Sequence, residues 1–429
     1  MKLSESCGKK FEPIAVIENE RCTLEVVGNG LGKWAQLHLD IFRVDMFRVD
    51  DSQGEPLEVC EEIEIVSPDD TVVADLSEIL AASFKLFKTQ RSRIERCSQA
   101  LRMSPHSRPP EVLWLDVDTG VDDAMGLLLA LRSPKRCKVV GVSAVGGNVS
   151  LEQVLTNSAK IVAYSGVFPK PPLFKGFAPL GARPDASNVH GKQGIGNIDE
   201  FIPDFKMPEW GDLAAGFDRV VAQHERGDIT FVATGPLTNL AKLTQICPEA
   251  VKQLKAIVIM GGAFDEPGNR AAKAEFNIHS DPESARVVLA FCQQHDIEHN
   301  FIPLDITHRA VLQRSMVNDL CRSGNHYAKF IQALTAHYME FYNRNQAMDG
   351  CPLHDPMAVG YVLWPEFFTS DTYYVEIAPS GLGAFSGATS ADFRPTRLFR
   401  DRGNEVTGVV LRVDRDRFLQ VVKDKLLKG

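Results

Sequence analysis

The chain contains no CxxC pair, although it carries nine cysteines. They are scattered singly and their number is odd, which argues against a disulfide framework or a cysteine-built zinc site. A reducing, cytoplasmic setting fits better. No apolar run reaches the ~18–20 residues that a membrane span requires. The opening stretch MKLSESCGKKFEPIAVIENE lacks the apolar centre of a signal peptide. Positive charge is also in deficit: 47 Lys and Arg stand against 56 Asp and Glu, a net charge of −9. That balance argues against nucleic acid or an anionic membrane surface as a partner. What remains is a soluble chain of 429 residues, long enough for two or three domains and a large buried core.

Residues 1–110 and 111–429 differ in character. In the first segment, alternating stretches such as CTLEVVG, WAQLHLDIFRVDMFRVD and VCEEIEIV read as β-strands. A helical stretch over 78–102 with a basic half follows, and the linker-like SPHSRPP occupies 104–110. The expectation is a small β-rich extension with a helical end and no assigned function. From residue 111 strands alternate with helices, which predicts an α/β fold: an open, mostly parallel sheet with helices on both faces. Strands are expected at VLWLDVD, KVVGVSAVGGN, Ile229–Ala233, Ala256–Met260 and Ile297–Pro303, with a helix over LEQVLTNSAKIVAYSG. In such sheets ligands collect outside the carboxyl ends of the strands. Polar clusters fall at those ends: Gly146-Gly147-Asn148, Thr234 to Asn239, Gly261-Gly262, and Asp305 to His308.

The richest of these ends lies in Val112–Leu131, where Asp116, Asp118, Asp122 and Asp123 fall within eight residues between two apolar runs. Asp116 and Asp118 are two apart, so on an extended segment they project the same way. Asp122 and Asp123 fall in the first turn of the following helix, where the dipole and free N–H groups favour negative charge. Gly120 permits the sharp turn between strand and helix. One or two acids here would read as a capped loop. Four repel one another, and oxygen-only donors suggest a hard cation, Ca²⁺ or Mg²⁺.

Read in order, DVDTGVDDA, AVGGN, NVHGKQGIG, ATGPLTNLA, MGGAFDEPGNRAAKAEFNIHSDPESA and CPLHDPMAV resemble the motifs of the inosine-uridine-preferring nucleoside hydrolase family. The resemblance runs from about residue 111 to the C-terminus and leaves out 1–110. It implies a Rossmann-like fold that binds one Ca²⁺ and hydrolyses the N-glycosidic bond of a ribonucleoside to ribose and a free purine or pyrimidine base. By that resemblance Asp118, Asp123 and Asp355 are metal carboxylates, and Thr234 is a ligand through its backbone carbonyl. Asp118 is also the general base for the metal-activated water. Asp122, Asn148, Asn269, Glu275 and Asn277 become partners of the ribose hydroxyls, and Met260 lines the sugar pocket. Phe276 packs against sugar or base, His190 belongs to the base pocket, and His354 is the leaving-group acid. Asp116 becomes a buried supporting acid. The implied partner is a small ribonucleoside, and since relatives are commonly dimers or tetramers, a homo-oligomer is expected.

Thr119 stands where the family usually has Pro, one extra residue separates MGG from Gly268-Asn269, and GLGAFSGATSADF lacks the family's Thr-Arg-Gly. The polar and aromatic EFYNRNQAMDG before His354 has the composition of a flap, with Tyr338 or Tyr342 placed to close on the base. Thr238 and Asn239 are expected to fix the GPLTN loop by side-chain to backbone bonds, and His279 and His308 read as structural. Two alternatives stand beside this reading. DVDTG also resembles the opening of haloacid-dehalogenase-type Mg-dependent phosphatases, but no later GDxxxD pair of acids follows. A non-catalytic nucleoside- or ribose-binding protein on the same scaffold would carry the same motifs without turnover.

Overall fold

The computed structural model describes the strands at 12–19, 22–28, 33–39 and 43–49, then residues 109–180, 186–394 and 406–428. The chain divides into two compact units, Met1–Arg108 and Pro109–Gly429. In the first, β1 (Glu12–Asn19), β2 (Cys22–Gly28), β3 (Lys33–Leu39) and β4 (Arg43–Val49) form an antiparallel sheet in chain order. CTLEVVG is β2, and the long alternating stretch after it divides into β3 and β4. The expected strand VCEEIEIV and the helix over 78–102 lie outside the described residues.

The second unit is built on a ten-stranded sheet. Its first strands are β5 (Glu111–Val117), β6 (Cys137–Ala144), β7 (Leu173–Lys175), β8 (Gly211–Asp212), β9 (Ile229–Ala233), β10 (Ala256–Met260) and β11 (His299–Ile302). The short β12 (Val311–Gln313) and β13 (Gly350–Pro352) pair separately, and β14 (Phe368–Ile377), β15 (Thr389–Asp392) and β16 (Val406–Val413) complete the large sheet. Its order is β15-β14-β16-β11-β10-β9-β5-β6-β7-β8. Every pair from β16 to β8 is parallel; only β14 breaks the direction, pairing antiparallel with both β16 and β15.

The helices that frame the site are α1 (Val121–Leu131), α2 (Leu151–Ser165), α3 (Leu213–Val221), α4 (Thr238–Ile246), α5 (Phe276–Ser280), α6 (Pro282–Gln294), α7 (His326–Gln346) and α8 (His354–Leu363). Strand alternation sorts them onto two faces. Leu113, Leu115 and Val117 of β5 join the core shared with α1, α2, α7 and α8, whereas Trp114 joins the core shared with α3, α4 and α6. Being covered on both sides, β9 and β10 are near-continuous apolar runs, ITFVA and AIVIM, broken only by Thr230, with every residue buried. Strand β11 is shorter than the expected Ile297–Pro303, because Pro303 caps a one-turn helix over Leu304–Thr307.

From β5 the chain winds outward through β6, β7 and β8. It then returns to the other side of β5 and continues through β9, β10 and β11. The winding therefore reverses between β5 and β9, the place where an open α/β sheet offers a crevice at its carboxyl ends. No helix among the described residues is long and apolar enough to cross a membrane.

Candidate active site

At this reversal Asp123 is the keystone. From the first turn of α1 its Oδ2 accepts the Gly120 N–H at 3.0 Å and the Asn148 side-chain amide at 3.2 Å. Its Oδ1 accepts the Asp118 N–H at 3.2 Å and the Thr234 hydroxyl at 2.7 Å. One carboxylate thus ties together the ends of β5, β6 and β9. Asp118 Oδ2 accepts the Asn148 N–H at 2.7 Å, while its Oδ1 is buried without a donor. A side chain on Gly147 would place a Cβ 2.0 Å from Asp118 Oδ2, so only glycine admits this approach. Gly120 serves the same purpose rather than the expected turn. Its φ is −88°, which any residue adopts, but a Cβ there would stand 2.6 Å from His190 Nδ1.

Asp355 enters from the first turn of α8. It joins Asp122 and Asp123 in a buried group whose carboxylate oxygens lie within 4.8 Å of one another. Burial and the neighbouring charges hold Asp118 and Asp355 well above the usual carboxylate range. Burial first, then the charge of Asp123, pushes Asp122 up to about 8; burial also raises Asp123. Asp122 Oδ1, like Asp118 Oδ1, finds no hydrogen-bond donor. Crowded acids with orphaned oxygens fit a hard cation, which would supply the missing positive charge. The Thr234 carbonyl accepts the Asn277 amide at 2.8 Å, which orients it and leaves it a second lone pair.

Beside the acids opens a cavity of about 160 Å³. Asp122, Asn148, His190, Thr234 and Met260 line it, as do Asn269, Glu275, Phe276, Asn277, His354 and Asp355. Asp118 and Asp123 are not part of the lining and lie buried next to it through their bonds to Asn148 and Thr234. Glu275 caps α5: its carboxylate accepts N–H groups from Asn277 at 2.9 Å, Ile278 at 3.1 Å and Gly262 at 3.3 Å. Burial outweighs these bonds and pushes it up to about 7. Asn269 accepts the Phe276 N–H at 2.8 Å, so the wall closes despite the extra residue ahead of it.

The two cavity histidines are neutral. His190 Nδ1 accepts the Val121 N–H at 3.1 Å, which assigns the ring proton to Nε2 and leaves none in the 3.7 Å contact with Asp122. Burial drops it to about 3, and its ring stacks on Tyr338 with centroids 5.1 Å apart. His354 is held at both nitrogens, Nδ1 by the Thr307 hydroxyl at 2.7 Å and Nε2 by the Tyr342 hydroxyl at 3.0 Å. Burial keeps it far below the usual histidine range.

The family model described as inosine-uridine preferring nucleoside hydrolase matches residues 113–420. The chain belongs to that family. It is 33% identical over 320 residues to the inosine-uridine preferring nucleoside hydrolase of Leishmania major, covering 74% of this chain and 98% of that protein. It is 31% identical over 341 residues to uridine nucleosidase 1 of Arabidopsis thaliana, covering 78% and 98%. The solved structure of a plant nucleoside hydrolase superposes with a TM-score of 0.66 at 28% identity, over 75% of this chain and all of that one. These relatives and this structural neighbour are nucleoside hydrolases, a family that acts on small-molecule nucleosides.

Within this nucleoside hydrolase Asp116 is a buried acid apart from the cavity, as expected: it accepts bonds from Ser143 and from Asn239 at 2.7 Å, and burial pushes it up to about 7. Other assignments from sequence change. Asn239 fixes other loops, not its own, donating to Ala144 O at 3.1 Å and accepting the Phe177 N–H at 2.7 Å. Thr238 bonds the Asp281 carboxylate at 2.6 Å instead of a backbone group. Most of the expected flap is helix: α7 runs through Gln346 and stops at Ala347, whose φ of 51° is left-handed. Tyr338 and Tyr342 are buried in the cavity wall, joined by Phe341 and Gln346. Arg270 and Asn188 also line the cavity and were not anticipated. The spacing 338, 342, 346 along one helical face was the available signal for the first group.

Proposed function

We propose that this chain hydrolyses the N-glycosidic bond of ribonucleosides with one Ca²⁺ in its acid cluster, releasing ribose and a free purine or pyrimidine base. The observation that carries this reading is the meeting of Asp122 and Asp123 with the distant Asp355, with Asp118 bonded to Asp123 behind them, beside a cavity walled by Asn148, Asn269, Glu275 and Asn277. Asp118, Asp123, Asp355 and the Thr234 carbonyl would hold the ion, and this mixed set of oxygens suits the loose coordination of Ca²⁺ better than the strict octahedron of Mg²⁺. When bound, the cation neutralises the crowded acids and makes a nearby water more acidic.

The residues of the chain supply the rest. Asp118, with one oxygen held by Asn148 and the other undonated, accepts the proton of the attacking water. Asp122, Asn148, Asn269, Glu275 and Asn277 hold the ribose hydroxyls. Positive charge growing on the sugar is met by the carboxylates of Asp122 and Glu275. Met260 packs under the sugar, and Phe276 with the stacked His190–Tyr338 pair gives aromatic walls to the base. Negative charge growing on the leaving base calls for a proton, and His354 holds one beside the cavity. The cysteines among the described residues are free, which suits work in the cytoplasm, where the freed base enters nucleoside catabolism and salvage.

A panel of purine and pyrimidine nucleosides, followed by release of free base and reducing sugar, tests the reaction. Turnover on at least one ribonucleoside supports it. Stoichiometric binding of nucleoside with no product would instead establish the binding-protein alternative.

A further inference from the structure

A continuous hydrogen-bond chain runs from Thr307, after β11, through His354 on α8 to Tyr342 and Tyr338 on α7, and ends on Asp122. Tyr338 donates to Asp122 Oδ2 at 3.3 Å and is also hydrogen-bonded to Tyr342. The Tyr342 hydroxyl lies 3.0 Å from His354 Nε2. The direction at His354 follows from the Thr307 end. The Thr307 hydroxyl stands 2.7 Å from Nδ1, wholly buried and with Nδ1 as its hydrogen-bond partner. A hydroxyl proton so enclosed goes to the acceptor it has. A neutral imidazole that accepts at Nδ1 carries its proton on Nε2, toward the Tyr342 oxygen.

We propose that Thr307 is a positioning residue that fixes His354 as the Nε2–H tautomer, keeping the imidazole proton on the side of the cavity. Tyr342, Tyr338 and Asp122 all line that cavity, whereas Thr307 does not. The inference rests on the proposed role of His354 as leaving-group acid: without the Thr307 donor, the proton is free to move to Nδ1, on the side away from the cavity. No motif read from the sequence singled out Thr307 for this task.

Nitrogen NMR of the full chain labelled at histidine, with the His354 signals assigned by their loss in His354→Gln, reads the tautomer without requiring turnover. The wild type shows Nε2 protonated. Thr307→Val, which keeps the shape and removes the donor, loses that signature, and Thr307→Ser keeps it. In kinetics Thr307→Val lowers kcat on nucleosides with poor leaving bases by about 10- to 100-fold, the range seen when the orienting partner of a functional histidine is removed. KM and the rate on a nucleoside with an activated base stay unchanged, and Thr307→Ser restores the rate. A wild-type His354 protonated at Nδ1 overturns the proposal. So does an unaltered tautomer in Thr307→Val, or a folded Thr307→Ser that behaves as Thr307→Val does. A wild type protonated at Nε2 that cleaves no nucleoside supports the tautomer assignment and removes the functional reading instead.

Discussion

Asp118 presents the sharpest division of labour between two atoms of one side chain. Oδ2 is fixed by the Asn148 N–H, and Oδ1 is buried without a donor. Asp118→Asn removes both the ligand charge and the proton acceptor, so kcat falls by about 10³-fold or more, while the melting temperature holds or rises because one crowded buried acid has gone. Steady-state kinetics beside a thermal melt checks both halves. His354→Ala costs about 10²-fold in kcat/KM on inosine and much less on a nucleoside with an activated base. Equal losses on the two would contradict the acid role. Such residues were legible because each sits inside a short motif at a strand end. The tasks of Tyr338 and Thr307 were not, since their partners lie 216 and 47 residues away and only the fold brings them together.

Strand ends do the positioning at the next scale. The loops after β5, β6 and β9 meet because the winding reverses there, and glycine makes the meeting tight enough. Gly147→Ala would drive a Cβ into Asp118 Oδ2. It lowers stability by about 1–3 kcal/mol, the usual cost of overpacking, and reduces kcat with it; denaturant titration and kinetics on the same variant read the two effects. Strands β9 and β10 were readable to the residue, since a strand covered on both faces is a near-continuous apolar run. The antiparallel edge was not: FTSDTYYVEI of β14 mixes polar and apolar residues because much of it stays partly exposed. The last turns of α7 were misread as a flap for a related reason. Asn343, Arg344 and Asn345 face solvent and mask the buried stripe of Tyr338 and Tyr342.

Taken whole, the hydrolase unit buries more acid than it can keep ionised alone. Burial holds Asp116 and Glu275 at about 7 and Asp122 at about 8, against about 4 in an unfolded chain. Below pH ~4 both states are protonated and these groups cost nothing. As pH climbs from ~4 toward ~8 the unfolded chain ionises first, so folding stability falls across that window. The metal-free protein therefore melts lower at pH 8 than at pH 5, and Ca²⁺ raises the melting temperature more at pH 8. Scanning calorimetry at the two pH values, with and without Ca²⁺, checks this, and equal melting temperatures would refute it. The unit Met1–Arg108 lies outside the family match, which starts at residue 113.

The most direct measurement is base release from inosine and uridine by protein first stripped with a chelator and then given Ca²⁺ back. Release should stop on stripping and return with the ion. Undiminished cleavage by the stripped protein would contradict the account.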